Sequence, residues 1–326
     1  MKRHGFVVFV LSVAIVFSSE ALSQKSQPVL IGVLEGASEV TMAGRYDAFR
    51  AKLRELGYVD GVNIRFEYRY ADGFIDRLPA LAAELVGLQP AVIVSAPVPA
   101  NLAVSKVTSI IPIVMANGAD PVAFGIVKSL SHPGGNITGV TNFAEDLASK
   151  QIDIIRELLP NLARIGTIIN VENPLHVPQW RETQDAAAKA SLAVVRFDFR
   201  SPDDLERAFA QFAQEKVEAV LVPPDVTFGA LRARIAKLAE QARLPSIFFN
   251  RESVVAGGLL GYGPDLVENY RRAAVFVDKI LKGAKPGDLP VERPNAIELV
   301  INLNTARTLG LTIPPTLLAR ASAVIE

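Results

Sequence analysis

The chain carries the same three-part unit twice. Ile31-Gly-Val-Leu34 recurs as Ile165-Gly-Thr-Ile168, Ala91-Val-Ile-Val-Ser-Ala-Pro97 as Ala219-Val-Leu-Val-Pro-Pro-Asp225, and Pro112-Ile-Val-Met-Ala-Asn117 as Pro245-Ser-Ile-Phe-Phe-Asn250. The offsets are 134, 128 and 133 residues, close enough to constant that two tandem copies of one fold account for them. Each repeated segment is a short apolar run that ends in small or polar residues and leads into a helical pattern. Such a run reads as a buried parallel strand entering its crossover helix. Two similar α/β lobes imply a cleft between them, and in open α/β sheets ligands sit outside the carboxyl ends of the strands.

With 326 residues, half of them hydrophobic, the chain can bury two cores of ordinary domain size. Residues 1–23 have the pattern of an export signal and are set aside from the fold. Lys2 and Arg3 form a positive start, Phe6 to Phe17 an apolar stretch, and Ala21-Leu22-Ser23 a small-residue cleavage site. The apolar stretch of 12 residues falls short of the roughly 20 that span a bilayer. Without Lys2, Arg3 and Glu20 the mature chain has 32 basic and 33 acidic residues and no basic patch, which argues against a nucleic-acid partner. The chain has no cysteine, so disulfides, thiolate catalysis and cysteine-bound metals are excluded. A soluble protein of the bacterial periplasm fits this composition.

The first half is expected to run as a strand at 30–34, a helix through Tyr46, Phe49, Leu53 and Leu56 stopped by Gly57, and a strand at 64–70. A helix through Leu78, Leu81, Leu85 and Leu88, a strand at 91–95, a helix near 100–108 and a strand at 112–115 complete it. In the second half, strands are expected near 164–169, 193–199, 219–222 and 245–249, with helices between them. One helix start looks well marked: Ser201 as cap, Pro202 in the first turn, and Asp203 and Asp204 at the positive end of the dipole. A helix near 266–282 ends at Gly283, and a strand follows at 298–302. Crossings between lobes are expected near 134–142, 257–263 and 286–297. The first lobe would then comprise 28–141 with 264–292, and the second 142–263 with 293–326.

Those junctions also carry a recognisable pattern. Asp120-Pro-Val122, Gly125-Ile-Val-Lys-Ser-Leu130 and Pro133-Gly-Gly-Asn-Ile-Thr-Gly-Val140 resemble the ABC-transporter substrate-binding protein family typified by tryptophan and tyrosine uptake. So do Gly57-Tyr-Val-Asp-Gly61, Ala256-Gly-Gly-Leu259 with Tyr262-Gly263, and Glu298-Leu-Val-Ile-Asn302 through Leu309-Gly-Leu-Thr-Ile-Pro-Pro315. The resemblance spans the mature chain. It implies the type I periplasmic binding fold: α/β, with two Rossmann-like doubly wound lobes joined by three crossover segments. It further implies a monomeric periplasmic receptor that closes on a small molecule, an amino acid or related small carboxylate, and hands it to an inner-membrane ABC permease with its ATPase. No cofactor and no metal are implied.

Carried over by position, the pocket lies in the loops after the repeated strands: 35–38, 95–98, 117–120, 170–174, 225–227 and 250–252. The first lobe offers Glu35, Ser38, Asn117 and Asp120. It also offers Ser95 with the backbone of Ala96, where the resemblance implies a ligand carboxylate held at a helix start. The second lobe offers Asn170, Asn173, Asn250 and Asp225, a carboxylate placed either to pair with a ligand ammonium or to cap the helix near Phe228. Asn170, Asn173 and Asp120 equally suit turn chemistry. Phe143, Phe249 and Tyr262 are candidates to wall the pocket, or else core. Arg251 suits either a second ligand carboxylate or a bridge to Glu252 or another surface acid.

Enzyme chemistry has few candidates. Only His132 and His176 remain after residue 23, neither in a zinc-binding arrangement, and Gly261-Tyr-Gly263 lacks the third glycine of a dinucleotide fingerprint. A carboxylate-based hydrolase is the remote alternative, and a ligand sensor feeding a membrane signalling protein the nearer one.

Overall fold

The computed structural model describes residues 27–142, 147–293 and 297–326. In chain order the first part runs β1 (Val29–Glu35), α1 (Glu39–Glu55), β2 (Ile64–Tyr70), α2 (Leu78–Gly87), β3 (Val92–Ala96), α3 (Val98–Val107), β4 (Ile113–Met115) and β5 (Ile137–Gly139). There follow α4 (Leu147–Leu158), β6 (Arg164–Asn170), α5 (His176–Lys189), β7 (Ala193–Phe199), α6 (Asp204–Gln214), β8 (Ala219–Val222), α7 (Val226–Ala230), α8 (Arg232–Gln241), β9 (Ser246–Phe248), α9 (Arg251–Val255) and β10 (Leu260–Pro264). The last stretch is α10 (Leu266–Leu281), β11 (Ile297–Asn302), α11 (Leu303–Leu309), α12 (Pro315–Arg320) and β12 (Ala323–Ile325).

The duplicated segments form the inner strands of two separate sheets. One is all parallel with order β2-β1-β3-β4-β5. The other has order β12-β11-β10-β9-β8-β6-β7 and is parallel apart from the antiparallel β10–β11 pair. The strand order reverses between β1 and β3 in the first sheet and between β6 and β8 in the second. At such switch points adjacent strands send their helices to opposite faces, and a crevice opens at the carboxyl edge. β1, β3 and β8 are buried along almost their whole length, as strands covered on both faces must be.

Helix α1 shows how the sequence sets one layer. Ser38 caps it by accepting from Thr41 N, and Met42, Tyr46, Phe49 and Leu53 recur on one buried face. Gly57 ends it at φ 93°, a backbone conformation that glycine adopts without a Cβ clash. The expected start at Ser201 is corrected. Asp204 turns its carboxylate back to accept from Arg200 N and Ser201 N, so α6 begins at Asp204 and Ser201 does not cap it.

The chain leaves the first sheet after β5, adds β6 to β10 to the second, and returns to send α10 against α1. There Tyr270, Ala273, Phe276 and Val277 join Tyr46 and Phe49 in one core cluster. Each aromatic ring buried in this way contributes roughly 2 to 3 kcal/mol. The passages out of β5 and out of α10 lie side by side: Thr141 N donates to Glu292 O and Glu292 N to Gly139 O, each at 2.9 Å. Gly139 is required at that junction, because a Cβ there would lie 2.2 Å from Met115 O at φ 130°. No helix among the described residues is long and apolar enough to cross a membrane.

Candidate functional site between the lobes

The carboxyl edges of both switch points face one cavity of about 540 Å³. From the first sheet it is walled by Glu35 at the end of β1, Met42 and Arg45 on α1, Val98 on α3, and the loop containing Asn117 and Asp120. From the second come Asn173, Gln179 on α5, Pro223 to Val226, Phe249 and Asn250, with Gln151 on α4 and Tyr270 on α10 completing the wall. A mostly apolar crevice with a few converging polar groups is the usual form of a small-molecule site.

Glu35 is 2% exposed. Its Oε1 accepts from Gly36 N (2.9 Å) and Ala37 N (3.4 Å), and its Oε2 from the hydroxyls of Tyr270 (2.8 Å) and Tyr46 (3.2 Å). Burial pushes its pKa up to about 7, against the lowering effect of the Tyr270 hydroxyl, Arg45, Ala37 N and the Tyr46 hydroxyl. Arg45 reaches across the cleft to Glu252 on α9, with Nε and Nη2 at 2.9 and 2.8 Å from the same oxygen. Burial alone would raise the Glu252 carboxyl, but the Arg45 guanidinium outweighs it and holds the group below the usual range.

Asp225 is the hub of the opposite rim, its side chain 1% exposed. Oδ1 caps α7 by accepting from Thr227 N (2.7 Å) and Phe228 N (3.1 Å). Oδ2 accepts from Asn173 Nδ2 (2.7 Å) and Asn170 Nδ2 (3.2 Å), and His176 Nε2 stands 3.2 Å away. His176 Nδ1 accepts from Asn170 N at 2.9 Å, so the neutral ring carries its proton on Nε2, facing the carboxylate. Burial acts to raise the Asp225 pKa; the nearby His176 ring together with hydrogen bonds from Asn173 and Phe228 N overcomes it and leaves the group below its ordinary value. Of the two readings open for Asp225, these contacts display the cap.

The other expected site residues divide between wall and support. Asn117, Asp120, Asn173 and Asn250 line the cavity, with Asp120 Oδ1 also accepting from Val122 N and Ala123 N and Asn250 Oδ1 from Ser253 N. Ser38, Ser95, Ala96, Asn170 and Tyr262 are not part of the wall. Ser95 needs the clearest correction. Its hydroxyl is fully buried and donates to Asn101 Oδ1 at 2.7 Å, while Asn101 Nδ2 donates to Asn117 O at 3.0 Å, so Ser95 props the Asn117 loop from below. Ser38 is spent on its cap, and Tyr262 packs against the second lobe's core while its carbonyl accepts from Gln151 Nε2. Phe249 does line the cavity. Arg251 makes the expected bridge to a surface acid, with Glu298 as the partner and not Glu252. Phe143, like residues 1–23, lies outside the described residues.

Arg45, Gln151, Gln179 and Tyr270 escaped the sequence reading. All four sit within helices, where a polar residue facing a cleft has the same spacing as one facing solvent. No cluster of three or more potential metal ligands occurs among the described residues.

Residues 30–325 match the family model described as ABC transporter substrate binding protein. A curated relative, the tyrosine-binding protein of Clostridioides difficile (strain R20291), is 26% identical over 281 residues, covering 86% of this chain and 81% of the relative. The crystal structure of the ABC domain from Streptococcus pneumoniae in complex with L-Trp is 28% identical with a TM-score of 0.84, covering 91% of this chain and 100% of that one. A conserved domain protein from Vibrio cholerae O1 biovar El Tor is also 28% identical, with a TM-score of 0.85 and coverage of 91% and 100%. All three are what this chain is similar to over nearly its full described length.

Proposed function

Because the chain belongs to the ABC transporter substrate-binding protein family, we propose that it is the periplasmic receptor of an importer for an amino acid with a large apolar side chain. The observation that carries this reading is the cavity of about 540 Å³ at the facing switch points. Met42, Val98, Phe124, Val226 and Phe249 supply apolar wall, while Asn117, Asp120, Asn173 and Asn250 supply polar groups at its rims. Relatives described as tyrosine-binding and as complexed with L-Trp support the same ligand class. The receptor performs no chemistry. It captures its ligand by closure of a lobe of 28–141 with 264–292 on a lobe of 142–263 with 293–326, and as a monomer presents the closed form to an inner-membrane permease with its ATPase.

Thermal unfolding in the presence of each amino acid tests the ligand class. A ligand at 100 times its dissociation constant stabilises by about 2.7 kcal/mol, enough to move the melting temperature by several degrees. Tryptophan, tyrosine or phenylalanine is expected to give the largest shift, and a panel in which no amino acid moves the midpoint would sink the reading. Export is tested separately. Protein recovered from the periplasmic fraction is expected to begin at Gln24, and an intact Met1 on membrane-bound material would contradict removal of residues 1–23.

A further inference from the structure

The cavity wall is rich in acceptors and short of free cations. Among the described residues its carboxyl groups are those of Glu35, Asp120, Glu182 and Asp225, of which Glu35 is only partly ionised near neutral pH, and its one basic side chain is Arg45. Arg45 is already held by Glu252 across the cleft. An anion entering this space meets a wall of its own sign, in apolar surroundings that strengthen the repulsion. A cation meets the opposite.

Within that wall, two side-chain amides from opposite lobes have buried oxygens that accept no hydrogen bond among the described residues: Asn117 Oδ1 and Gln179 Oε1. Buried acceptors are nearly always paired, so two in one cavity mark where a donor arrives. Asn117 is 8% exposed, and its loop is rigidly held. Asn101 Nδ2 fixes the Asn117 carbonyl, while Asn142 N and Thr141 Oγ1 both donate to Gly118 O. Gln151 adds a third acceptor. Its Nε2 is committed to Tyr262 O, a group that only accepts, which identifies the other end of that amide as oxygen.

We propose that Asn117 and Gln179 are the specificity-determining residues of this cavity, jointly accepting hydrogen bonds from a primary ammonium group of the ligand, so that the site selects amine-bearing solutes and rejects their des-amino acids. The inference rests on the receptor reading and adds to it a charge requirement. Closure brings one acceptor from each lobe onto the same ammonium, whose three N–H donors suit several oxygens at once. Asp225, with both carboxylate oxygens already engaged, keeps its place as scaffold.

Calorimetric titration of the mature protein with L-tryptophan, tryptamine and indole-3-propionate separates the possibilities, because the three share a ring and differ in ammonium and carboxylate. Tryptamine is expected to bind within about tenfold of tryptophan, and indole-3-propionate at least a hundredfold more weakly. Asn117→Ala and Gln179→Leu are each expected to weaken tryptophan binding tenfold or more with an unchanged melting temperature, since neither side-chain amide makes a hydrogen bond among the described residues. Equal binding of indole-3-propionate and tryptophan overturns the inference and leaves the receptor reading intact. Wild-type affinity for tryptophan in both variants does the same. Failure of every amine and amino acid tried overturns both.

Discussion

Asp225→Ala is expected to lower the free energy of unfolding by about 3 to 5 kcal/mol, measured by urea denaturation near neutral pH. The substitution strips the cap from α7 and leaves Thr227 N, Phe228 N, Asn173 Nδ2 and Asn170 Nδ2 without their acceptor in a buried site. A lost cap alone accounts for about 1 kcal/mol, and each buried donor left unpaired adds to it. Asp225→Asn is expected to lose less, roughly 2 kcal/mol, because its oxygen keeps the two backbone bonds while its amide nitrogen faces three donors. His176 cannot relieve the clash by moving its proton, since Nδ1 already accepts from Asn170 N. The pH dependence has a definite sign. A carboxyl held below its ordinary pKa stabilises the fold above the carboxylate range, and that contribution is lost as pH falls through the lowered value. Equal stability of wild type and Asp225→Ala would show that the network is not a scaffold.

What could be read from the sequence, and what could not, follows from the range of the interactions involved. The strands at 64–70, 193–199 and 219–222 lie where expected: the first two are edge strands whose residues alternate, the last is a buried apolar run, and either pattern is complete within a single segment. The Asn117 and Asn250 loops likewise follow from the duplicated strands that end just before them. Side-chain direction did not follow. Ser95 stands at a strand end as expected, yet successive residues of a strand point to opposite faces, and Ser95 turns toward Asn101 beneath the Asn117 loop. For Arg251 the sequence leaves Glu252 and other surface acids equally open as partners, and adjacent helix positions do not face each other. The two residues instead find distant partners, Arg251 with Glu298 within the second lobe and Glu252 with Arg45 across the cleft. Tyr270 reaches Glu35 across 235 positions of chain, a contact that no local pattern encodes.

That last contact sets the second large effect, at Glu35. Glu35→Gln is expected to stabilise the protein by up to about 3 kcal/mol at pH 8 and to change little at pH 5. The folded protein holds this proton up to about pH 7, against an ordinary 4.5, because burial penalises the charged form more than its neighbours relieve it. The groups facing it are Arg45 and Tyr46 on α1 and Tyr270 on α10. For an acid whose pKa rises on folding, stability is fully present below the unfolded value and is lost as pH climbs through the folded one. Glutamine reproduces the protonated form. Its oxygen accepts from Gly36 N and Ala37 N, its nitrogen donates to the tyrosine hydroxyls, and it has no proton to lose. The variant's advantage should therefore grow between pH 5 and pH 8, following the titration of one group in the wild type, as read by unfolding free energies at several pH values. An advantage of the same size at both ends would mean that Glu35 stays ionised throughout. Its four donors, together with Arg45, would then outweigh the cost of its burial.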